Sequence, residues 1–500
     1  MPGSAGTRTR VLVLGATAAF ALACIGGPAA ATETAAPPAV PAVDVAGVVA
    51  VPPNACRVSL AGTAYRSIAA AEAVATDGAT IRVRGTCVGP TVIDTDLTIL
   101  GVRNAMSGAP TLSGGKAGVV LLVRAGTELT LRDLTIRNGR NGANGGAIIA
   151  RSALVVLDDT VVTANHASRG GGLWVIDSTL ELRGTATVTR NRAEQNEGGG
   201  IYAERSSVRM YDTSSVAANV SLEDDGGGIS LCGSSLEMFD RARIHHNRVR
   251  NDDGGGVDGG SCEGFDSSVT MHDDSRIDHN VTLYEDGGGV YLCNGLLRME
   301  ERASIDSNTA EDGGGADIEC EASLAMTGSS VIGGNTAARG GGVHVCSGSS
   351  LIAAVLEDSS RIRANVATEE GGGVYLRDCE SATLRVIDSA AIRGNSAEGN
   401  GGGIWSRIQP VILEGDGAVI ANDAGGTGGG IYFGGVGYLT MVDDARIRAN
   451  VHAAEANGAG VSTCGNQLIG VVALTNVVDN LAPNGPIGSP ASIQVWERCD

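Results

Sequence analysis

The sequence predicts an all-β chain wound as a single right-handed parallel β-helix, with three strands per coil and an N-terminal capping helix. Three observations carry that prediction. Glycine clusters begin at Gly145, Gly170, Gly198, Gly226, Gly254, Gly287, Gly313, Gly340, Gly371, Gly401, Gly428 and Gly458, in steps of 25 to 33 residues. In each unit a β-branched residue stands three places before an asparagine, at Asn165, Asn191, Asn219, Asn247, Asn280, Asn308, Asn335, Asn365, Asn395, Asn422, Asn450 and Asn480. Between the two landmarks lies a short alternating run such as SLEMFD, SVTMHD or YLTMVD.

One whole unit is GGGIYAERSSVRMYDTSSVAAN, Gly198 to Asn219. It is too short for three strands plus a crossover helix, and its apolar positions have period two. Each strand then pairs with its equivalent in the next coil, about 4.8 Å away. The hand follows the crossover rule for parallel strands. Glycine supplies positive φ at a sharp corner and lets neighbouring backbones approach. Asparagine tolerates the left-handed conformation, and its amide can bond the asparagine of the next coil to form a ladder. About 14 coils at strand spacing make a rod roughly 65 Å long. Disorder from the 75 glycines is the competing reading, and the fixed phase of the apolar positions argues against it.

The remaining chain divides in order. Residues 1–31 read as an export signal: Arg8 and Arg10, an apolar run Val11 to Leu22, then Ala29-Ala30-Ala31 before Thr32. The run is too short to span a bilayer, and no transmembrane segment is expected in the mature chain. Lipidation at Cys24 is the alternative route to the surface. Residues 32–53 form an Ala/Pro-rich linker. Residues 54–140 form an N-terminal cap and first coils, with helical spacing over Tyr65 to Thr76 and alternating strands in TIRVRGT, TVIDTDLTILG and GVVLLVRAGTELTLRDLTIRNG. Residues 141–500 carry the repeats and a C-terminal cap.

A formal net charge of −20 argues against a nucleic-acid partner, and the single lysine, Lys116, leaves little for amine catalysis. Setting Cys24 aside leaves ten of eleven cysteines, an even number that suits disulfides in an exported chain. Adjacent coils place Cα atoms within the disulfide window. The expected pairs are Cys56–Cys87, Cys232–Cys262, Cys293–Cys320, Cys346–Cys379 and Cys464–Cys499; a thiolate metal cluster is the alternative.

The GGG[IV] and [IV]xxN landmarks, from Gly145-Gly146-Ala147-Ile148 onward, resemble the repeats of the chlamydial polymorphic outer membrane proteins. The N-terminal region resembles secreted β-helix proteins of the pectin-lyase-like superfamily. The resemblance implies surface exposure and adhesion. It departs in two ways: Ile or Val stands where that family usually has Phe, and no barrel-length strand region of an autotransporter follows the repeats.

Three groups of residues could carry chemistry. Asp225, Asp253, Asp286 and Asp312 occupy one corner of successive coils. They form either a solvated acidic edge or an oxygen-only Ca²⁺ site, the one cofactor considered. Trp174, Tyr202, Tyr291, Tyr375, Trp405 and Tyr432 hold the position after the apolar strand residue, expected to point outward. They read as a sugar-stacking row or as ordinary strand residues. Asp258, Asp317 and His344 share that face and are weak catalytic candidates. The expected function is a secreted or surface-exposed, adhesin-like or structural β-helix that binds carbohydrate or a cell-surface component. The alternatives are a polysaccharide lyase or glycoside hydrolase, and a spacer with no ligand.

Overall fold

The computed structural model describes residues 55–103, 109–260, 264–347, 353–377, 382–453, 458–464, 468–470, 476–480 and 493–495. The expected export signal and linker lie outside these residues. The repeats wind a right-handed parallel β-helix. A representative coil runs Ile201–Glu204, Ser207–Met210 and Ser215–Ala217, the three expected strands. A fourth strand, Val220–Ser221, follows. It is two residues long, too short to leave an alternation in the sequence. Pairing with the next coil is parallel, placing Ile201 on Ile229, Val208 on Leu236 and Val216 on Ile244. Third strands stack into a sheet of 15, and the short fourth strands into sheets of six and five.

Period-two alternation sends Ile201, Ala203, Val208, Met210 and Val216 into the bore, where none is exposed. Equivalent residues of successive coils merge into one continuous apolar core. Two devices close the coil. Gly198 turns the chain with φ of 74°. Gly199 and Gly200 make room: a Cβ on Gly199 would lie 2.4 Å from the Gly227 carbonyl oxygen, and one on Gly200 2.8 Å from Asn219 Nδ2. At the opposite corner the asparagines form the expected ladder. Asn219 Nδ2 donates to Asn247 Oδ1 at 3.0 Å, and the Asn219 N–H donates to the same oxygen at 3.0 Å. The left-handed residue is not the asparagine but the one before it, as in Ala218 with φ of 54°. Taking up that turn one residue early leaves the asparagine amide buried and aligned with the stack.

The other corners are laddered too. Ser178 N–H donates to Ser206 Oγ at 3.0 Å, and Ser206 N–H to Ser234 Oγ at 2.9 Å. Between the second and third strands, Asp212 N–H donates to Asp240 Oδ2 at 2.9 Å, and Asp240 N–H to Asp273 Oδ2 at 2.9 Å. A short polar side chain at each bend therefore satisfies a backbone N–H that the strands leave unpaired.

The capping helix is Ile68–Glu72, shorter than the Tyr65 to Thr76 expected. Ser67 stops it at the front, its Oγ accepting from Ala70 N–H at 3.1 Å. Tyr65 instead ends strand Thr63–Tyr65, which pairs antiparallel with Arg57–Leu60. Arg57–Leu60 runs antiparallel to Ala79–Arg84, so the parallel stack begins on a reversed strand. Ile68 and Ala71 are the buried residues of the helix. Each of the longer alternating stretches bends at coil corners. TVIDTDLTILG becomes Thr91–Ile93 and Leu97–Gly101.

Cys56–Cys87 and Cys293–Cys320 are disulfides, with Cα–Cα separations of 4.6 and 5.0 Å. Cys232, Cys346 and Cys464 are disulfide-bonded as well. Their expected partners, Cys262, Cys379 and Cys499, lie outside the described residues. Among the described residues no helix is long and apolar enough to cross a membrane.

Candidate functional site

The predicted aromatic row is in register up the stack. Trp174 pairs with Tyr202, and the series Asp258, Tyr291, Asp317, His344, Tyr375, Trp405, Tyr432 continues coil by coil. It does point away from the bore, but it is not an exposed face. Tyr202, Tyr375 and Trp405 are 4, 7 and 9% exposed. Trp174, Tyr291 and Tyr432 are half-buried. The first glycine of the corner packs against the row. A Cβ on Gly371 would sit 2.8 Å from Tyr375 Cβ. The rings also consume one another's faces: Tyr375 and Trp405 stack with centroids 4.4 Å apart. Arg151 and Arg169 lie over Trp174 and Tyr202, their guanidinium carbons 4.5 and 4.6 Å from the ring centres. The exposed sugar-stacking row expected from alternation is therefore corrected: these rings pack within the protein.

The acidic corner is not a solvated edge either. Asp225, Asp253, Asp286 and Asp312 do not stand free in solvent. Asp253 N–H donates to Asp225 Oδ1 at 2.9 Å, Asp286 N–H to Asp253 Oδ1 at 2.9 Å, and Asp312 N–H to Asp286 Oδ1 at 3.0 Å. They are a fourth ladder. Arg339 Nη2 lies 2.7 Å from Asp312 Oδ2. Burial pushes the Asp225 carboxyl up to about 10 and Asp253 up to about 8, with neighbouring carboxylates adding to the rise. Of the four, Asp225 is brought within reach of two other carboxylates, Asp224 and Asp252, in a group compact enough for a cation.

The three catalytic candidates are sealed. Asp258 is 6% exposed, and Asp317 and His344 are 0% exposed. His344 Nδ1 lies 2.7 Å from Asp317 Oδ2. Burial holds Asp317 and Asp258 well above the usual carboxyl range and lowers His344. A polymer has no route to this pair. Asp317 Oδ1 and His344 Nε2 have no hydrogen-bond partner. A buried polar atom left so costs about 1–3 kcal/mol.

What does face solvent is the outer side of the second strands. Inward residues Leu180, Val208, Leu236 and Val269 are fully buried. Their neighbours Thr179, Ser207, Ser235 and Ser268 form a half-buried column in register from coil to coil, in which the Ser207 Oγ is itself buried and the hydroxyls of the other three line the groove. Beside it, Arg205 holds Asp177 through two contacts, Nε–Oδ1 at 2.8 Å and Nη2–Oδ2 at 3.2 Å. Phe265, 57% exposed, and exposed Asp266 complete a groove of about 580 Å³ that crosses four coils. Farther along the same strands, Tyr211, Phe239 and His272 stack at 5.1 and 4.7 Å, nearly parallel. Both faces of Phe239 are covered by its neighbours, and Arg183 lies over the Tyr211 ring, its guanidinium carbon 5.9 Å from the ring centre. Alternation could have found this column, since each ring stands directly before the acid of the bend. Phe265 had no such signal, because it lies off the repeat.

Residues 117–295 match a family model described as a right handed β-helix region. That match supports the β-helix likeness. No curated protein and no solved structure gives a significant match to the chain.

Proposed function

We propose that this chain is an extracellular or surface-exposed β-helix that binds carbohydrate, and that the groove from Asp177 to Ser268 is its binding face. The observation that carries the reading is the composition of that groove. Hydroxyls, a fixed Arg–Asp pair and one exposed ring are what a sugar needs: paired donors and acceptors for its diols, and an apolar plane for its C–H face. Four coils at strand spacing span about 14 Å, which suits an oligosaccharide laid along the rod. The disulfides agree with an oxidising compartment.

A glycan array with analysis of products tests the reading. Wild-type protein binds a defined glycan set and leaves it intact. Phe265→Ala weakens that binding about 10-fold, the loss of roughly one stacking contact. Unchanged binding in Phe265→Ala would remove the groove from consideration. Released or unsaturated fragments would turn the reading to a polysaccharide lyase or hydrolase.

A further inference from the structure

We infer that Asp317, Glu319 and His344 form a buried site for a divalent transition-metal ion of the Zn²⁺ class, placed between two coils of the helix. Strand Ala316–Met326 carries Asp317 and Glu319 two residues apart, on the side facing away from the core residue Ile318. The next coil's strand Val343–Ser347 sets His344 directly opposite Asp317. One donor atom from each of the three side chains can lie within 4.8 Å of the others.

Two further observations separate this trio from a chance cluster of acids. Asp317 Oδ1 and His344 Nε2 are fully buried and have no hydrogen-bond partner. An ion held between Asp317 and the His344 Nδ1 that faces it supplies what Asp317 Oδ1 lacks; Nε2, on the far side of the ring, is not one of its ligands. The surroundings are also acidic: Asp286, Glu319 and Asp312 act on Asp317, opposed by Arg377 and by the Arg339 that pairs with Asp312. A cation at this point offsets carboxylates that otherwise repel one another.

The donor set selects the ion. An imidazole nitrogen with two carboxylates suits Zn²⁺, whereas Ca²⁺ and Mg²⁺ take oxygen ligands. Glu319 is half-buried and forms the outer wall, so an ion enters from that side. Tyr291 on the preceding coil donates its hydroxyl to Glu319 Oε2 at 3.2 Å and orients that carboxylate. Cys320, next to Glu319, is tied by its disulfide to Cys293. The site is therefore held on strands that are already cross-linked. Full burial of Asp317 and His344 makes its role structural.

The test uses the full chain, stripped with EDTA and titrated with Zn²⁺ alone by calorimetry, with melting followed in parallel. Wild-type protein takes up one equivalent tightly and melts higher with Zn²⁺ than with EDTA. Glu319→Gln, which keeps an acceptor for Tyr291, and His344→Gln each lose about 100-fold or more in affinity for that equivalent. Ca²⁺ does not replace Zn²⁺. Should His344→Gln fail to fold, the half-buried Glu319→Gln decides the matter alone. Absence of a tight equivalent in wild-type protein, or the same tight uptake in Glu319→Gln, overturns the assignment; water then fills the site, or the ion sits elsewhere.

Discussion

At the scale of single residues, stability rests on small polar side chains repeated in register. Asn308 accepts from Asn280 N–H and Nδ2 at 2.8 and 3.0 Å, and donates to the Ile277 carbonyl at 3.0 Å. Asn308→Ala strands those buried partners, for a loss of about 3 kcal/mol in denaturant unfolding. A loss near zero would mean the ladder is ornamental. The carboxyls of Asp225 and Asp253 behave in the opposite sense to surface acids. In the unfolded chain they titrate near 4. Folding raises Asp253 to about 8, so the folded state binds more protons than the unfolded one. Stability is then full below about pH 4 and falls as pH rises through 8. Asp253→Asn keeps the oxygen that accepts the Asp286 N–H and cannot ionise. Its melting temperature should exceed wild type by about 2 °C at pH 8 and match it at pH 4. Equal curves at both pH values would show that Asp253 is already ionised at no cost.

At the scale of strands, one face decides burial and the other decides use. The inward residues of Ser207–Met210 and Ser235–Met238 fill the bore, which leaves Ser207, Arg209, Ser235 and Glu237 to face out. Arg209 Nε lies 2.9 Å from Glu237 Oε2, so even the outward columns pair between coils. The disulfides act between elements. Cys293 and Cys320 are 27 residues apart in sequence. Opening that loop by a double Cys→Ser substitution should cost about 3 kcal/mol. A double variant as stable as wild type would place the staple's value elsewhere.

Across the whole molecule, stability adds up between nearest neighbours, because each coil touches only the coils beside it. A lesion in the middle of the stack uncouples two halves, whereas the same lesion near an end removes only an end. Asn308→Ala should therefore split or broaden the calorimetric transition, while Asn165→Ala should leave it single and shift it less. One sharp transition in both would show that the stack melts as a unit.

Much of this architecture is legible in the chain itself. The period, the core positions, the asparagine ladder and the Cys293–Cys320 pair follow from like residues recurring at one phase, and the Cys56–Cys87 pair from two cysteines that flank the capping helix. Stacking translates such a pattern directly into contacts. Other features depend on what a distant segment does. Tyr375 and Trp405 read as outward and prove covered, because they stack on each other and the glycine corner packs against Tyr375. Asp253 reads as part of a solvated edge or of a Ca²⁺ site, and it accepts a backbone N–H from the next coil.

The sequence by itself determined the coil, its three main strands and the apolar bore, since those need only local alternation and repetition. Only the tertiary structure decided which outward side chains remain in water and which unlike residues meet across coils. Phe265 beside Arg205, and His344 against Asp317 and Glu319, are juxtapositions of different residue types in different coils. No period in the chain encodes them; they arise from the register in which one coil is laid upon the next.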